Sequence, residues 1–190
     1  MTKTDFANRE SLRRIELLVL DVDGVLTDGR ITLSGKGEEV KTFNVRDGAG
    51  MKYWKRAGGK LAVISGRGSP AVTRRAEELD VDAVRLNAKD KLPAFEEVLS
   101  QLNLTGEQTA FIGDDLTDIP LALRCAFSAA VADAANELKE VVSYVTEAPG
   151  GGGCAREVIE MILKATGKWR GILTRYFPDL APGGDGEQAK

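Results

Sequence analysis

The stretch Leu17–Gly29, LLVLDVDGVLTDG, decides how this chain is interpreted. Its first four residues are apolar and predict a buried β-strand, which ends abruptly at Asp21 and Asp23. Alternation along a strand points these two carboxylates to the same side, where like charges repel unless a cation lies between them. The stretch therefore indicates a cation site, although a solvated acidic corner between a strand and a turn would have the same sequence.

The composition is that of a globular domain and excludes several kinds of chemistry. Of 190 residues, 43% are hydrophobic and 29% charged, and the net charge of -3 argues against nucleic-acid binding. Neither a membrane-length apolar run nor a secretory segment is evident, so we expect a cytoplasmic protein in which Cys125 and Cys154 are free thiols. Since histidine is absent, catalytic triads and zinc sites that use it are excluded, and carboxylates make magnesium the first candidate metal.

Strand-like and helix-like segments alternate along the chain. The predicted strands span residues 17–20, 60–64, 82–86, 109–112, 128–131 and 144–146. The predicted helices begin at Asp47 and at Ser69-Pro70, and span 91–102, 116–123 and 157–165. A hairpin is predicted from 30–33 and 38–43. This order predicts an α/β fold with a doubly wound parallel sheet, in which ligands bind at the carboxyl ends of the strands.

Two polar loops after predicted strands carry candidate phosphate ligands. In ISGRG, residues 64–68, Ser65 can offer its hydroxyl and neighbouring backbone N–H groups to a phosphate, although an ordinary loop would look the same. Lys91 opens a predicted helix and could balance a carboxylate cluster and bind a phosphoryl oxygen. Lys89 competes for that role, and either lysine could be a solvated charge.

A second acidic cluster follows the predicted strand 109–112. In FIGDDLTD, Asp114 and Asp115 come directly after the strand and Asp118 lies one helical turn further on. A helix N-terminus favours aspartate and explains one of these acids, but not three. The cluster therefore indicates further ligands for a hard cation.

In order and position, these four clusters resemble the four motifs of the haloacid dehalogenase-type phosphohydrolases. The resemblance implies that Asp21 is the nucleophile that forms an aspartyl-phosphate, and that Asp23 is the general acid and then the base. It implies that magnesium is held by the Asp21 and Asp114 carboxylates and the backbone carbonyl of Asp23. Asp115 and Asp118 would support these ligands.

The same resemblance implies that Ser65 and Lys91 bind phosphate oxygens. The intervals 29–60 and 65–91 are too short for the cap domain that many members carry, so we expect the capless kind. We divide the chain into an N-terminal extension, a phosphatase domain and a C-terminal tail with a disordered end, at residues 1–16, 17–167 and 168–190.

Further sequence segments, including GEEVKTFNVRDG, VADA and GGxGxxRE, resemble those of a capless subfamily that hydrolyses the 8-phosphate of an eight-carbon 2-keto-3-deoxy sugar acid. The subfamily consists of magnesium-dependent homotetramers, in which the hairpin flap, about 29–45 here, helps to close a neighbour's site. The implied ligand of the sugar carboxylate is Arg46. The other candidate substrate contacts are Thr27, Gly66, Arg67 and Arg156. Thr27 and its neighbour Asp28 are expected either to contact substrate or to shape the flap.

Two departures from the subfamily stand out. Gly152 replaces a side chain that is often longer, and the tail with Trp169 and Tyr176 matches nothing in it. This tail is expected to be either a helix packed on the oligomer or a flap over a neighbour's active site.

Three alternatives remain. A sister enzyme would act on the 9-phosphate of a nine-carbon keto sugar acid, because the motifs bind only phosphate and metal. A phospho-accepting receiver domain also combines acids, lysine and magnesium, but its phosphorylated aspartate lies on a middle strand. A non-catalytic homologue is disfavoured because the motif residues are intact.

Overall fold

The computed structural model describes residues 11–177. Its strands are β1 Leu17–Leu20, β2 Thr32–Leu33, β3 Glu39–Val40, β4 Lys60–Ile64, β5 Ala83–Arg85, β6 Thr109–Gly113, β7 Phe127–Ala130 and β8 Tyr144–Val145. Six of them form one parallel sheet in the order β5-β4-β1-β6-β7-β8, and β2 and β3 form a separate antiparallel hairpin. The predicted fold class is confirmed, and no cap domain interrupts the described residues.

Along the chain, helices alternate with the strands of this sheet. They are α1 Val45–Arg56, α2 Pro70–Glu78, α3 Lys91–Leu102, α4 Ile119–Ala122, α5 Asn136–Val141, α6 Cys154–Ala165 and α7 Trp169–Leu173. The short α5 was not predicted, and the predicted helix 116–123 begins as a 3-10 turn, Leu116–Asp118. None of the helices within residues 11–177 combines the length and the apolar character that crossing a membrane requires.

The central strand β1 explains why the functional loops meet. All four of its residues are buried, as expected for a parallel strand with helices on both faces. In the register, Leu20 is paired with Val63 of β4 and with Ile112 of β6, so the three strands end at nearly the same level. The polar loops that follow these strands therefore lie side by side at one edge of the sheet.

Asp47 does not begin its own helix, and that prediction is wrong. The residue that caps α1 is Asn44, whose side chain accepts a hydrogen bond from the backbone N–H of Arg46 at 2.8 Å. The buried carboxylate of Asp47 instead accepts hydrogen bonds from the backbone N–H groups of Gly153, at 3.1 Å, and Arg156, at 2.9 Å. Asp47 therefore caps α6, which packs against α1, because the orphan N–H groups of that helix need an acceptor.

The first part of the predicted tail packs on α1 of its own chain. The ring of Tyr53 makes edge contacts with Trp169 and Tyr176, at centroid distances of 6.0 and 6.2 Å. The predicted disordered end of the tail, within residues 178–190, lies outside the described residues. A flap of the tail over a neighbour's site remains a prediction.

Candidate active site

Three carboxylates converge where β1 and β6 end. Oxygen atoms of Asp21, Asp114 and Asp118 lie within 4.8 Å of one another. The 3-10 turn after β6 brings Asp118 back to this edge, where its Oδ2 accepts hydrogen bonds from the backbone N–H groups of Asp114, at 2.8 Å, and Asp115, at 3.3 Å. Carboxylate oxygens at this spacing fit a hard divalent cation.

Lys91 provides the positive charge within the cluster. Its Nζ lies 2.9 Å from Asp21 Oδ1 and 2.6 Å from Asp118 Oδ1, and all three side chains are buried. The competing Lys89 is exposed. The structure thus places Lys91 in the cluster, and its contact with phosphate remains a prediction.

The cluster holds more negative charge than Lys91 balances. Burial raises the pKa of Asp21 to about 6, against the attraction of Lys91, and Asp118 adds to the rise. Burial raises the pKa of Asp114 to about 8, with further contributions from Asp21 and Asp118. Burial would lower the pKa of Lys91, but its two carboxylate partners raise it. Three carboxylates facing one ammonium group are the electrostatic setting in which a divalent cation is stabilised.

Gly24 allows the DVDG loop to lie directly against this cluster. Its φ is +92°, and a Cβ atom there would lie 2.0 Å from Asp114 Oδ2. Any side chain would collide with the carboxylate, so the tight turn expected beside the cation site requires glycine.

Asp23 points into a different group of charges. Its Oδ1 contacts Nζ of Lys41, which also lies 3.3 Å from Glu39 Oε1. Nη2 of Arg67 lies 2.8 Å from the same Glu39 oxygen, and Nε of Arg67 lies 3.9 Å from Asp23 Oδ2. Burial would raise the pKa of Glu39, but pairing with Lys41 and Arg67 lowers it. Lys41 and Glu39 were not predicted as site residues, and the one signal for them in the sequence is their position in GEEVK, in the second strand of the predicted hairpin.

Ser65 is buried directly after β4, beside the end of β1. Its backbone N–H donates to the carbonyl of Arg85 at 2.9 Å, and its hydroxyl accepts from the backbone N–H of Arg67 at 3.3 Å. Gly66, between them, is partly buried. The predicted phosphate loop therefore lies next to the loop that carries Asp21, as the parallel register requires.

Thr27 and Arg46 differ in what surrounds them. The buried hydroxyl of Thr27 donates to the carbonyl of Val22 and accepts from the backbone N–H of Gly29, each at 3.3 Å, so Thr27 shapes its loop. Arg46 is exposed in the first turn of α1. Substrate contact by either residue remains a prediction.

Arg156 contacts an acidic side chain and two aromatic rings. Its Nε lies 2.6 Å from Glu160 Oε1, and its guanidinium lies over the rings of Tyr53 and Trp169, at 4.6 and 5.6 Å from their centroids. These contacts make it part of the aromatic cluster that joins α1, α6 and α7. Its predicted contact with substrate remains a prediction.

The glycine loop, residues 150–153, packs against the loop after β1. The backbone N–H of Gly151 donates to the carbonyl of Val25 at 2.8 Å. A Cβ atom on Gly150 would lie 1.9 Å from the carbonyl oxygen of Gly24. The two loops are therefore in backbone contact, which explains why small residues occur here.

The chain belongs to the haloacid dehalogenase-like hydrolases, whose family model matches residues 86–158. This confirms the resemblance found in the sequence. The chain is 42% identical over 160 residues to the 3-deoxy-D-manno-octulosonate 8-phosphate phosphatase KdsC of Haemophilus influenzae, covering 84% of this chain and 89% of that protein. It is 43% identical over 157 residues to the same phosphatase of Yersinia pestis, covering 83% and 84%.

Solved structures agree with this assignment. The 3-deoxy-D-manno-octulosonate 8-phosphate phosphatase of Moraxella catarrhalis, in complex with a magnesium ion, a phosphate ion and KDO, has a TM-score of 0.87 at 36% identity, covering 89% of this chain and 97% of that one. The cobalt-bound phosphatase YrbI of Haemophilus influenzae has a TM-score of 0.81 at 42% identity, covering 84% and 94%. Divalent metals thus occur in similar proteins, and the acidic cluster described above fits such a metal.

Proposed function

We propose that this protein is a magnesium-dependent phosphatase that hydrolyses 3-deoxy-D-manno-octulosonate 8-phosphate. The observation that carries the proposal is the buried cluster of Asp21, Asp114, Asp118 and Lys91, in a chain 42% identical to phosphatases of this substrate. The class of reaction, hydrolysis of a phosphoric monoester, follows from the family. We also propose a cytoplasmic location, which cell fractionation would test.

In the proposed mechanism, a carboxylate oxygen of Asp21 attacks phosphorus, and the bond from phosphorus to the sugar oxygen breaks. Asp23 donates a proton to that leaving oxygen, which releases the sugar alcohol and leaves an aspartyl-phosphate. Asp23 then accepts a proton from a water molecule that attacks the phosphorus, which releases inorganic phosphate and restores Asp21. Lys91 keeps the Asp21 carboxylate in place, and Lys91 and Ser65 bind the phosphate oxygens.

The oxygen donors of the site fit Mg²⁺. We propose that the Asp21 and Asp114 carboxylates and the backbone carbonyl of Asp23 hold the ion, while Asp115 and Asp118 support these ligands. The contacts of Asp118 with Lys91 and with two backbone N–H groups suit a supporting role, since they occupy both of its oxygens. When bound, the ion neutralises the carboxylates and polarises the phosphoryl group.

We further propose that Arg46 binds the carboxylate of the sugar acid, with Thr27, Gly66, Arg67 and Arg156 as additional substrate contacts. The exposed guanidinium of Arg46 supports its assignment, since a planar fork suits a carboxylate and none of the ion pairs among the described residues includes it. Arg46→Met should raise KM for the sugar-acid phosphate and leave KM for 4-nitrophenyl phosphate unchanged. Equal changes for both substrates would refute this role.

We also propose a homotetramer in which the flap, residues 29–45, contributes to a neighbouring active site. Its exposed apolar side chains support this, because Ile31, Leu33 and Val40 are 61%, 63% and 50% exposed. Several exposed apolar side chains on one short segment are typical of an interface. Light scattering should give the mass of a tetramer for the wild type and a lower mass for Leu33→Asp, with Lys36→Asp in the same hairpin as the control. A monomeric wild type would refute the proposal.

The test of function is a phosphate-release screen over eight- and nine-carbon keto sugar-acid phosphates, with hexose phosphates as controls, in magnesium and in EDTA. We expect magnesium-dependent turnover that is fastest with the eight-carbon substrate and is abolished in Asp21→Asn. Preference for the 9-phosphate would identify the sister enzyme, and equal rates would defeat the narrow assignment. Stoichiometric phosphorylation without turnover would indicate a receiver domain, and retained turnover in Asp21→Asn would refute the mechanism.

A further inference from the structure

We infer that Lys41, on the hairpin flap, is a positioning residue for Asp23, so that the flap also completes the active site of its own chain. The inference rests on the proposed function, because it assigns Lys41 to the general acid and base of that reaction. Within the structure, the contacts that carry it are all between residues of one chain.

Four charged side chains, Asp23 among them, form a closed ring of ion pairs. Lys41 contacts Asp23 Oδ1 and Glu39 Oε1, and Arg67 contacts the same Glu39 oxygen at 2.8 Å and approaches Asp23 Oδ2 at 3.9 Å. The ring joins three segments: the loop after β1, the flap, and the loop after β4. Two cations alternate with two carboxylates, so the ring as a whole is neutral.

The burial of Lys41 shows that these contacts hold it firmly. Its side chain is 2% exposed, although it belongs to a hairpin in which Ile31, Leu33 and Val40 are open to solvent. Removing an ammonium group from water is costly unless carboxylates surround it, and Asp23 and Glu39 are those carboxylates. Breaking either contact would leave a buried charge with one partner fewer.

The two carboxylate oxygens of Asp23 have different contacts. Oδ1 is in direct contact with Lys41, whereas the nearest arginine nitrogen is 3.9 Å from Oδ2, which is beyond hydrogen-bond distance. Lys41 therefore fixes the orientation of the carboxylate through Oδ1 and leaves Oδ2 available to pass a proton to the leaving oxygen. Proton transfer depends on such alignment within hydrogen-bond reach of the leaving group.

The side chains of the flap thus have separate functions. Glu39 and Lys41 contact active-site residues of the same chain, whereas Ile31, Leu33 and Val40 are exposed and available to another subunit. The inference therefore predicts that a substitution of Lys41 changes catalysis without changing the mass of the assembly.

The test is a double-mutant cycle between Lys41→Met and Asp23→Asn, measured with the sugar-acid phosphate under steady-state conditions. We expect Lys41→Met to lower kcat about ten- to hundredfold with KM changed less than about threefold, because positioned acid–base groups contribute rate rather than binding. In the Asp23→Asn background, Lys41→Met should have less than about a twofold further effect. Lys36→Met, an exposed lysine in the turn of the same hairpin, is the matched control and should match the wild type.

A second readout separates positioning from a general loss of structure. With 4-nitrophenyl phosphate, whose leaving group needs no proton, the first burst of nitrophenol should be as fast in Lys41→Met as in the wild type. Lys41→Gln, which keeps a donor for Asp23, should lose less than Lys41→Met and provides a second variant. The inference would be overturned if Lys41→Met lowered kcat equally in the wild type and in Asp23→Asn. It would also be overturned if the nitrophenol burst slowed as much as turnover of the sugar-acid phosphate. In either case the phosphatase activity itself would stand. Absence of turnover in the wild type would instead overturn the proposed function, and the inference with it.

Discussion

Replacing Asp114 with asparagine should stabilise the metal-free protein. Carboxylate oxygens of Asp114, Asp21 and Asp118 lie within 4.8 Å of one another, and among the described residues the cation paired with this cluster is Lys91. Asparagine has the same shape as a protonated aspartic acid, so the substitution removes the repulsion and fills the same space. A carboxylate that is buried among other carboxylates opposes folding, and its loss should be favourable when no cation is bound.

The size of the effect follows from the pKa of Asp114. Burial, with the nearby Asp21 and Asp118, raises this pKa from 3.8 to about 8, so at pH 7 the folded state holds a proton that the unfolded state has lost. About three pKa units lie between 3.8 and 7, and at about 1.4 kcal/mol each they set a ceiling of about 4 kcal/mol. Because Asp114 is only partly buried, solvent screening reduces this to about 1–3 kcal/mol.

The sign of the pH dependence follows from the same shift. Since the pKa of Asp114 is raised in the folded state, the stability that this residue contributes is greatest below about pH 4, where Asp114 is protonated in both states. This stability is lost as the pH rises toward about 8, because the folded state resists losing the proton. The advantage of Asp114→Asn over the wild type should therefore be small near pH 4 and largest near pH 7 to 8.

Urea unfolding in EDTA, followed by circular dichroism at several pH values, measures this difference. Asp115→Asn is the matched control, since the exposed neighbour undergoes the same chemical change. Magnesium at about 1,000 times Kd should reverse the order, because it stabilises the wild type by about 4.1 kcal/mol, which exceeds the expected advantage of the variant, and the variant lacks a ligand. A variant less stable than the wild type in EDTA at pH 7, or a gain independent of pH, would refute the reasoning.

Three further substitutions test other parts of the site and its support. Lys91→Met should abolish phosphate release and lower the free energy of unfolding by about 3–5 kcal/mol in urea titrations, because it leaves two buried carboxylates unpaired; a loss below about 1 kcal/mol would contradict this. Asp47→Ala should destabilise by about 1–2 kcal/mol, since α6 loses its cap, whereas Asp47→Asn should retain most of the stability. Gly150→Ala should destabilise by about 1–3 kcal/mol, because its Cβ would collide with the Gly24 carbonyl. The control Gly171→Ala, with open space around it, should be neutral or slightly stabilising. Similar melting curves for the two variants would count against the loop contact.

Much of the fold was predictable because its signals are local. The apolar run Leu17–Leu20 and the strands around Val63 and Ile112 can be recognised by their hydrophobicity, and each is followed by a polar loop. The short α5 was missed because Asn136–Val141 contains a single fully buried side chain, Leu138, which gives no periodic pattern.

The contacts of the site were predictable to different degrees. Spacing in the sequence could not decide whether Lys91 or Lys89 lies in the carboxylate cluster, because Lys89 precedes and Lys91 opens the same helix. The answer depends on which of the two side chains the folded helix turns inward. Asp47 was assigned as the cap of its own helix because aspartate is a favoured N-cap residue and precedes the apolar residues of that helix. The structure assigns it to α6, since the packing of α1 and α6 brings distant N–H groups within reach.

The sequence by itself determined the sheet, the order of the four motifs and the residues that end its strands, because the carboxyl ends of parallel strands meet at one edge whatever the details of packing. Only the tertiary structure decided that Lys41 and Arg67 surround Asp23, and that Asp118 is held by Lys91. Pairings of this kind join segments far apart in the chain. They are chosen by the requirement that each buried charge find an opposite one, and that requirement can be evaluated only once the loops and the flap lie together.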